Sequence, residues 1–194
     1  MNHIATIQRQ TRETDIAATL DLDGRGQAAI ATGIGFLDHM LTALTLHAGW
    51  DLSLTCQGDL EVDDHHTAED CAIVLGQALD QALGGREALT RFGSALAPLD
   101  EALSRSVVDL ATRPFASVDL QLEREAIGGI ACENLVHFLQ SFATAGRFCC
   151  HVDVLKGRND HHRAEAGFKS LALALRQALT PTGNPSAPST KGVL

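Results

Sequence analysis

The pattern Asp-His-His-x-Ala-Glu occurs twice in this chain, first at residues 64–69 and again at 160–165. Imidazole nitrogens and carboxylate oxygens together suit Mn, Fe, Co or Zn ions. On a helix, residues four apart share a face, so His65 and Glu69 can contact one ion. The adjacent His66 points about 100° away from His65 on the same helix. The repeated pattern therefore indicates a site with two metal ions, in which neighbouring histidines bind different ions.

Two further histidines, His39 and His137, occupy matching positions 98 residues apart, close to the 96 residues that separate the two patterns. With the His-His pairs and the glutamates they make eight potential ligands, which the pseudo-symmetry divides into two sets of four. The first set is His39, His66, His161 and Glu165, and the second is His65, Glu69, His137 and His162. Four ligands leave open positions on an octahedral ion, and open positions are typical of catalytic sites.

The other histidines and glycines carry weaker signals. His47 has no counterpart in the second half, so it either points into the same pocket or only contributes to packing. We interpret His3 and His151 as structural. The segment 33–35, Gly-Ile-Gly, lacks the third glycine of a dinucleotide-binding loop. The sequence also contains no phosphate-binding Gly-x-x-x-x-Gly-Lys loop and no Gly-x-Ser-x-Gly nucleophile turn.

Composition and charge narrow the class of protein. The 194 residues, 45% hydrophobic and 20% charged, suffice for one large domain or two small ones. A net charge of −9 argues against nucleic acid and anionic membranes as partners and is compatible with bound divalent cations. No apolar run of about 18 residues and no signal-peptide pattern is present. Five cysteines without Cys-x-x-Cys spacing argue against a set of disulfides and against a thiolate zinc site. We therefore expect the protein to reside in the reducing cytoplasm.

The elements that position these ligands also repeat. Hydrophobic periodicity predicts strands at 13–23 and 27–31, a helix at 36–47, a strand at 51–56 and a helix at 64–82 that Asp64 would cap. It predicts the same order again, with strands at 103–112 and 115–122, a helix at 133–145, a strand at 148–155 and a helix at 160–179. We therefore expect an α+β fold with two pseudo-symmetric ββαβα halves, each a small sheet covered by two helices. The halves are residues 1–90 and 91–180, together one functional domain, and composition alone predicts that the tail 181–194 is mobile.

Several motifs, in this order along the chain, resemble the imidazoleglycerol-phosphate dehydratase family of histidine biosynthesis: RETDI, GIGFLDHM, DDHHTAED, APLDEAL, NDHHRAEAGFK and PSTKGVL. The resemblance covers nearly the whole chain. It implies a hydro-lyase with a duplicated ribosomal-protein-S5-domain-2-like fold and two Mn(II) ions per active site. It also implies a homo-oligomer of 24 chains with active sites between subunits. Because no phosphatase domain precedes Met1, we expect the single-function form.

The resemblance further implies roles for individual residues. Glu13 corresponds to the candidate acid/base of the family, and Glu165 is expected to be a ligand first and a second catalytic carboxylate. The expected substrate contacts are Glu13, His39, His47, His65, Glu69, Arg91, Arg113, His161, Lys169, Ser189, Thr190 and Lys191. The two arginines correspond to phosphate- or substrate-binding positions, although without the resemblance surface salt bridges would be favoured. The tail segment, usually Ser-Ser-Lys in the family, is Ser-Thr-Lys here, which keeps a hydroxyl group.

The expected reaction converts imidazole glycerol phosphate into imidazole acetol phosphate and water. The proton to be removed is not next to a carbonyl, so the imidazole ring must act as the electron sink. A metal-bound imidazolate can expel the adjacent hydroxyl and give a diazafulvene-like intermediate, with Glu13 as the base. Two alternatives stay open. A dinuclear metallohydrolase would release phosphate, and a metal-storing oligomer would not need open coordination positions or residues such as Arg91 and Lys191.

Overall fold

The computed structural model describes residues 3–184 and 189–190. The first half contains β1 (Ile4–Gln10), β2 (Thr14–Asp21), β3 (Ala28–Ala31), α1 (Gly35–Ala48), β4 (Asp51–Gly58) and α2 (His65–Leu83). The second half contains β5 (Phe92–Leu99), β6 (Ala102–Asp109), β7 (Phe115–Asp119), the short hairpin β8 (Ala126–Ile127) and β9 (Ile130–Ala131), α3 (Cys132–Ala145), β10 (Cys149–Lys156) and α4 (Asp160–Ala178). The prediction of an α+β fold with two similar halves is confirmed.

The first strand of each half, β1 and β5, was not predicted. Both are edge strands whose fully buried positions hold small residues: Ala5 in β1, where Ile7 is only partly buried, and Gly93 and Ala97 in β5. At Gly93 a Cβ would clash with the carbonyl of Ala174, because α4 packs directly on the strand. A strand whose buried positions hold only glycine and alanine shows little hydrophobic alternation, so periodicity does not reveal it.

Each half forms one four-stranded sheet, with strand orders β1-β2-β4-β3 and β5-β6-β10-β7. The first three strands of each sheet are antiparallel, whereas β3 is parallel to β4 and β7 is parallel to β10. The strand β3 therefore does not lie beside β2, because the crossover helix α1 carries the chain from β3 to a parallel neighbour. The helix α3 makes the equivalent connection in the second half.

The four helices lie between the two sheets. α1 and α2 pack on the first sheet, α3 and α4 pack on the second, and the halves meet where α1 contacts α4 and α2 contacts α3. At Gly76 a Cβ would crowd Ala145 and the carbonyl of Phe142, so α2 and α3 can approach closely only with glycine at this position. This packing brings the start of each long helix, α2 and α4, against the opposite half. Among the helices of the described residues, none combines the length and apolar character needed to cross a bilayer.

Asp64 occupies the N-cap position of α2 as predicted, but its side chain makes no capping hydrogen bond. The side chain of Asp63 accepts the backbone N–H of His65, with 2.8 Å between nitrogen and oxygen. Asp64 is turned towards the second half instead, where its Oδ2 accepts the backbone N–H of Ala131 at 2.7 Å. Its carboxylate therefore joins the two halves instead of capping the N-terminus of α2.

The N-terminus of α4 has the same arrangement of hydrogen bonds as that of α2. Asn159 caps the helix by accepting the backbone N–H of His161 at 3.0 Å. Asp160 turns away and accepts the backbone N–H of Glu123 at 2.9 Å. The aspartate of each repeated pattern thus fixes a neighbouring segment, and the residue before it satisfies the helix terminus.

Candidate functional site

Two groups of three side chains bring potential metal ligands together. One consists of His39, His161 and Glu165, the other of His65, Glu69 and His137, and in each the ligand atoms lie within 4.8 Å of one another. We call them the His161 group and the His65 group. Each group takes two residues from one repeated pattern and a single histidine from the opposite half. The structure thus brings together three members of each expected set of four.

In the His161 group, both imidazoles face one carboxylate oxygen. Oε2 of Glu165 lies 3.1 Å from Nε2 of His39 and 3.2 Å from Nε2 of His161. The other oxygen, Oε1, pairs with Nζ of Lys169 at 2.6 Å. Burial alone would raise the pKa of Glu165, but the hydrogen bonds from Lys169 and His39 lower it below the ordinary value. The carboxylate is therefore held in its charged form, as a metal ligand must be.

In the His65 group, Glu69 again lies between two imidazoles. Its Oε1 is 2.9 Å from Nε2 of His137, and its Oε2 is 3.8 Å from Nε2 of His65. The rings of His65 and His137 stack with 5.1 Å between their centroids. Nδ1 of His65, on the far side of the ring, is 3.0 Å from Oδ1 of Asn134. The two Nε2 atoms and the carboxylate thus converge on one point.

Both groups suit a divalent ion of the Mn-to-Zn series. Each offers two imidazole nitrogens and a carboxylate, and none of their members is a cysteine. His39 is exposed, and His161, His65, Glu69 and His137 are half-buried, so an ion can enter from solvent. Three ligands from this chain leave further coordination positions for another ligand or a substrate.

His66 and His162 are in neither group. Nδ1 of His66 is 3.0 Å from Asp59, and Nδ1 of His162 is 2.7 Å from Glu101. The hydrogen bond that His66 donates to Asp59 raises the pKa of His66, and the hydrogen bond with His162 is the main reason that the pKa of Glu101 falls to about 2. A carboxylate on Nδ1 leaves Nε2 as the available ligand atom, as in many metal-binding histidines. Within one chain, each expected set of four therefore lacks its fourth member.

Glu13 and His47 lie near these residues. Oε1 of Glu13 is 3.7 Å from Nε2 of His66, so the expected base is close to a histidine outside the two groups. The pKa of His47 is lowered, first by burial and then by the ammonium group of Lys169. The charges of Lys169 and Glu165 therefore act on His47, which places His47 near the His161 group.

The expected phosphate-binding residues lie outside the two ligand groups. Arg91 pairs with Asp109 through two contacts, at 2.7 Å and 3.1 Å, and its guanidinium carbon lies 4.6 Å from the centre of the Phe92 ring. Arg113 is exposed on the loop between β6 and β7. In the tail, Ser189 is half-buried and Thr190 is exposed, whereas Lys191 lies outside the described residues.

Three polar residues of the site were not found by sequence reasoning: Asp59, Glu101 and Asn134. Asp59 precedes its histidine by 7 positions, whereas Glu101 precedes His162 by 61. Because these spacings differ between the halves, the internal repeat gives no signal for them. Glu101 and Asn134 reach the imidazoles only through the packing of distant segments, and Asp59 does so through the loop before α2.

Comparisons with known proteins cover the part of the chain that contains both ligand groups. A sequence model of the family described as imidazoleglycerol-phosphate dehydratase matches residues 32–175. A protein of Candida glabrata with that name is 54% identical, over 98% of this chain and 100% of its own length. The crystal structure of imidazoleglycerol-phosphate dehydratase from Staphylococcus aureus N315 matches with a TM-score of 0.83 at 37% identity, covering 92% of this chain and 99% of that one. The structure from Pyrococcus furiosus, in complex with (S)-C348, matches with a TM-score of 0.82 at 39% identity, covering 97% and 100%.

Proposed function

This chain belongs to the imidazoleglycerol-phosphate dehydratase family, whose members are hydro-lyases of histidine biosynthesis, and we propose that its dehydration of imidazole glycerol phosphate depends on two divalent metal ions. The observation that supports the metal dependence is the pair of three-ligand groups, each with two imidazoles around one carboxylate. We propose that the ions are Mn(II) and that the product is imidazole acetol phosphate. The absence of any disulfide among the five cysteines supports a reducing, cytoplasmic location.

The proposed active site lies between subunits of a homo-oligomer. Each ligand group has three members from one chain, and His66 and His162 lie outside both groups with Nδ1 held by a carboxylate. We propose that a second copy of the chain supplies His66 to the His161 group and His162 to the His65 group. This exchange completes both expected sets of four ligands. An assembly of 24 chains is the number that the family resemblance implies.

When bound, the two ions would act as Lewis acids towards the nitrogens of the substrate's imidazole ring. The electron-rich ring would expel the adjacent hydroxyl and a carboxylate of the chain would remove the carbon-bound proton, so that the two leave as one water. We propose Glu13 as the base, because its carboxylate lies 3.7 Å from His66 and would accompany that histidine into the shared site. Glu165 suits this role less, since Lys169 and two imidazoles engage its oxygens. The ring acts as the electron sink through a diazafulvene-like intermediate of the substrate.

The phosphate of the substrate needs cationic groups at a distance from the reacting carbon. We propose that Arg91 and Arg113 bind it, because guanidinium N–H groups match pairs of phosphate oxygens. The tail segment Ser189, Thr190 and Lys191 would close over the same group. His47 and Lys169, near the His161 group, would contact the rest of the substrate. Such remote contacts orient the ring and exclude water around it.

A product assay with controlled metal content tests this proposal. Metal-free protein, prepared with a chelator, is mixed with imidazole glycerol phosphate, with and without added Mn²⁺. We expect imidazole acetol phosphate to appear only with the metal, and no inorganic phosphate. Release of phosphate would favour a metallohydrolase instead. Full activity in protein shown by elemental analysis to contain no metal would contradict the metal dependence.

A further inference from the structure

Asn134 lies directly behind the His65 group. It is on the first turn of α3 and is 5% exposed. Its Oδ1 is 3.0 Å from Nδ1 of His65, and its Nδ2 donates to Oδ2 of Asp64 at 3.0 Å. The same oxygen of Asp64 also accepts the backbone N–H of Ala131 at 2.7 Å. Asn134 is therefore oriented by a carboxylate that is itself fixed to the backbone.

This series of hydrogen bonds has only one consistent direction. An ionised carboxylate only accepts, so the amide NH₂ of Asn134 faces Asp64 and the amide oxygen faces His65. An amide oxygen also only accepts, so Nδ1 of His65 carries the hydrogen and Nε2 of the neutral ring carries the lone pair. Nε2 is the atom that faces Glu69 at 3.8 Å. In the neutral ring of His65, the atom that faces Glu69 is therefore the one that carries the lone pair.

The corresponding position in the first half holds Phe36. His39 and His137 are counterparts 98 residues apart, and Phe36 and Asn134 have the same separation. The ring of Phe36 meets the ring of His161 edge to face, with 5.0 Å between their centroids. A phenyl ring restricts the position of an imidazole, but it has no lone pair with which to select a tautomer. Among the hydrogen bonds of residues 3–184, none reaches Nδ1 of His161.

A second difference concerns the charge beside each carboxylate. Nζ of Lys169 pairs with Oε1 of Glu165 at 2.6 Å. The residue 96 positions earlier, at the offset of the repeated pattern, is Ile73. Glu69 therefore has no ammonium group at the equivalent place. An adjacent positive charge opposes the binding of a divalent cation and occupies one carboxylate oxygen.

We propose that Asn134 is a positioning residue that fixes the tautomer of His65, and that the His65 group consequently binds a divalent ion more tightly than the His161 group and is occupied first. The inference rests on the proposed metal dependence. Both differences act in the same direction, since the His65 group gains an oriented ligand and the His161 group carries an opposing charge. The two halves are thus alike in their ligands and unlike in what surrounds them.

The tautomer can be measured without any metal or substrate. Nitrogen NMR of metal-free protein with ¹⁵N-labelled histidine distinguishes a protonated from an unprotonated ring nitrogen, at a pH where the imidazoles are neutral. The signals of His65 are assigned by their loss in His65→Gln. We expect a protonated Nδ1 and an unprotonated Nε2. A protonated Nε2 in the wild-type protein would overturn the role of Asn134.

The order of occupation is measured by titrating metal-free protein with Mn²⁺ and following free Mn²⁺ by electron paramagnetic resonance. We expect two classes of site, with the tighter class retained in Glu165→Gln and lost in Glu69→Gln. Equal affinities, or loss of the tighter class in Glu165→Gln, would overturn the inference and leave the proposed function intact. If the wild-type protein binds no Mn²⁺, the proposed metal dependence fails, and the NMR measurement still decides the tautomer.

A set of variants separates positioning from a purely structural role. We expect Asn134→Leu to weaken the tighter site roughly 10- to 100-fold and to abolish the preference for Nδ1–H in His65. Gln140→Leu, which removes an amide from the same helix, should change neither property. A folded Asn134→Leu variant that keeps both the affinity of the tighter site and the preference for Nδ1–H in His65 would contradict the proposal.

Discussion

His39 of the first half and Glu165 of the second meet with 3.1 Å between Nε2 and Oε2, and His137 and Glu69 make the reciprocal contact at 2.9 Å. Both ligand groups therefore depend on the packing of α1 against α4 and of α2 against α3. Neither half holds a complete group by itself. Formation of the candidate metal site consequently requires the two halves to be folded together.

Substitution of His65 tests the ligand assignment. We expect His65→Ala to lose the ion of the His65 group and the dehydratase activity together, because two imidazoles and a carboxylate become one imidazole and a carboxylate. Metal content is measured by elemental analysis and activity by product formation. His151→Ala, an exposed histidine of β10, serves as the matched control and should retain both. Full Mn content with normal turnover in His65→Ala would refute the assignment.

Substitution of Glu13 tests the proposed base. Glu13→Gln removes the proton acceptor and keeps the size of the side chain, and Glu13 belongs to neither ligand group. We expect unchanged metal content and a kcat lower by roughly 10²- to 10⁴-fold, the usual contribution of a general base. The exposed Glu61, substituted to Gln, is the control. A near-normal rate in Glu13→Gln would show that another group removes the proton.

Substitution of Lys191 tests the proposed role of the tail. We expect Lys191→Ala to raise the apparent KM for imidazole glycerol phosphate, since a cation that pairs with phosphate is lost, while metal content stays the same. Steady-state kinetics and elemental analysis measure the two effects. Lys156→Ala, at the exposed end of β10, removes the same charge elsewhere. If KM is unchanged in Lys191→Ala, the tail does not bind the phosphate through this residue.

We predict that the carboxylate of Asp51, which belongs to neither ligand group, makes the stability of the protein depend on pH. Its Oδ1 accepts the backbone N–H groups of Arg25 and Gln27, each at 2.8 Å, and these bonds, that of Arg25 first, lower its pKa below 3.8. Because the folded state favours the carboxylate, its stabilisation is present above pH 3.8 and is lost as the pH falls through the lowered pKa. Urea unfolding of metal-free protein on both sides of pH 3.8 measures this. Asp51→Asn should show a smaller decrease on acidification, and an identical decrease would exclude the contribution.

We predict that substitution of the buried Arg86 causes a large loss of stability. The side chain is 3% exposed and donates to the carbonyl groups of Leu110, Arg147 and Gly146 at 2.8–2.9 Å. Arg86→Met leaves these buried acceptors unsatisfied, so we expect the free energy of unfolding to fall by about 3 kcal/mol. Urea denaturation gives the value. The more exposed Arg147, substituted to Met, is the control, and equal losses in the two variants would argue against this explanation.

The features that recur in both halves could be predicted from the sequence. The two His-His pairs and His39 with His137 recur at nearly constant offsets, so both halves and most ligands could be recognised. The edge strand β5 was missed because Gly93 and Ala97 fill its inner face. The partners of His65, His66 and His162 were missed because each contact joins segments whose spacing is not repeated. The local sequence predicts that the side chain of Asp64 caps α2, because nothing in it shows that Ala131 and Asn134 of the second half supply its donors.

The exchange of ligands between the halves also limits what one half could bind by itself. A single copy of the repeated unit would carry one lone histidine, one His-His pair and one glutamate, yet its histidine would lie against the glutamate of another copy. Such a protein could assemble a three-ligand group only as a dimer. The present chain therefore holds within one polypeptide the contact that a single copy of the unit could make only with a second copy.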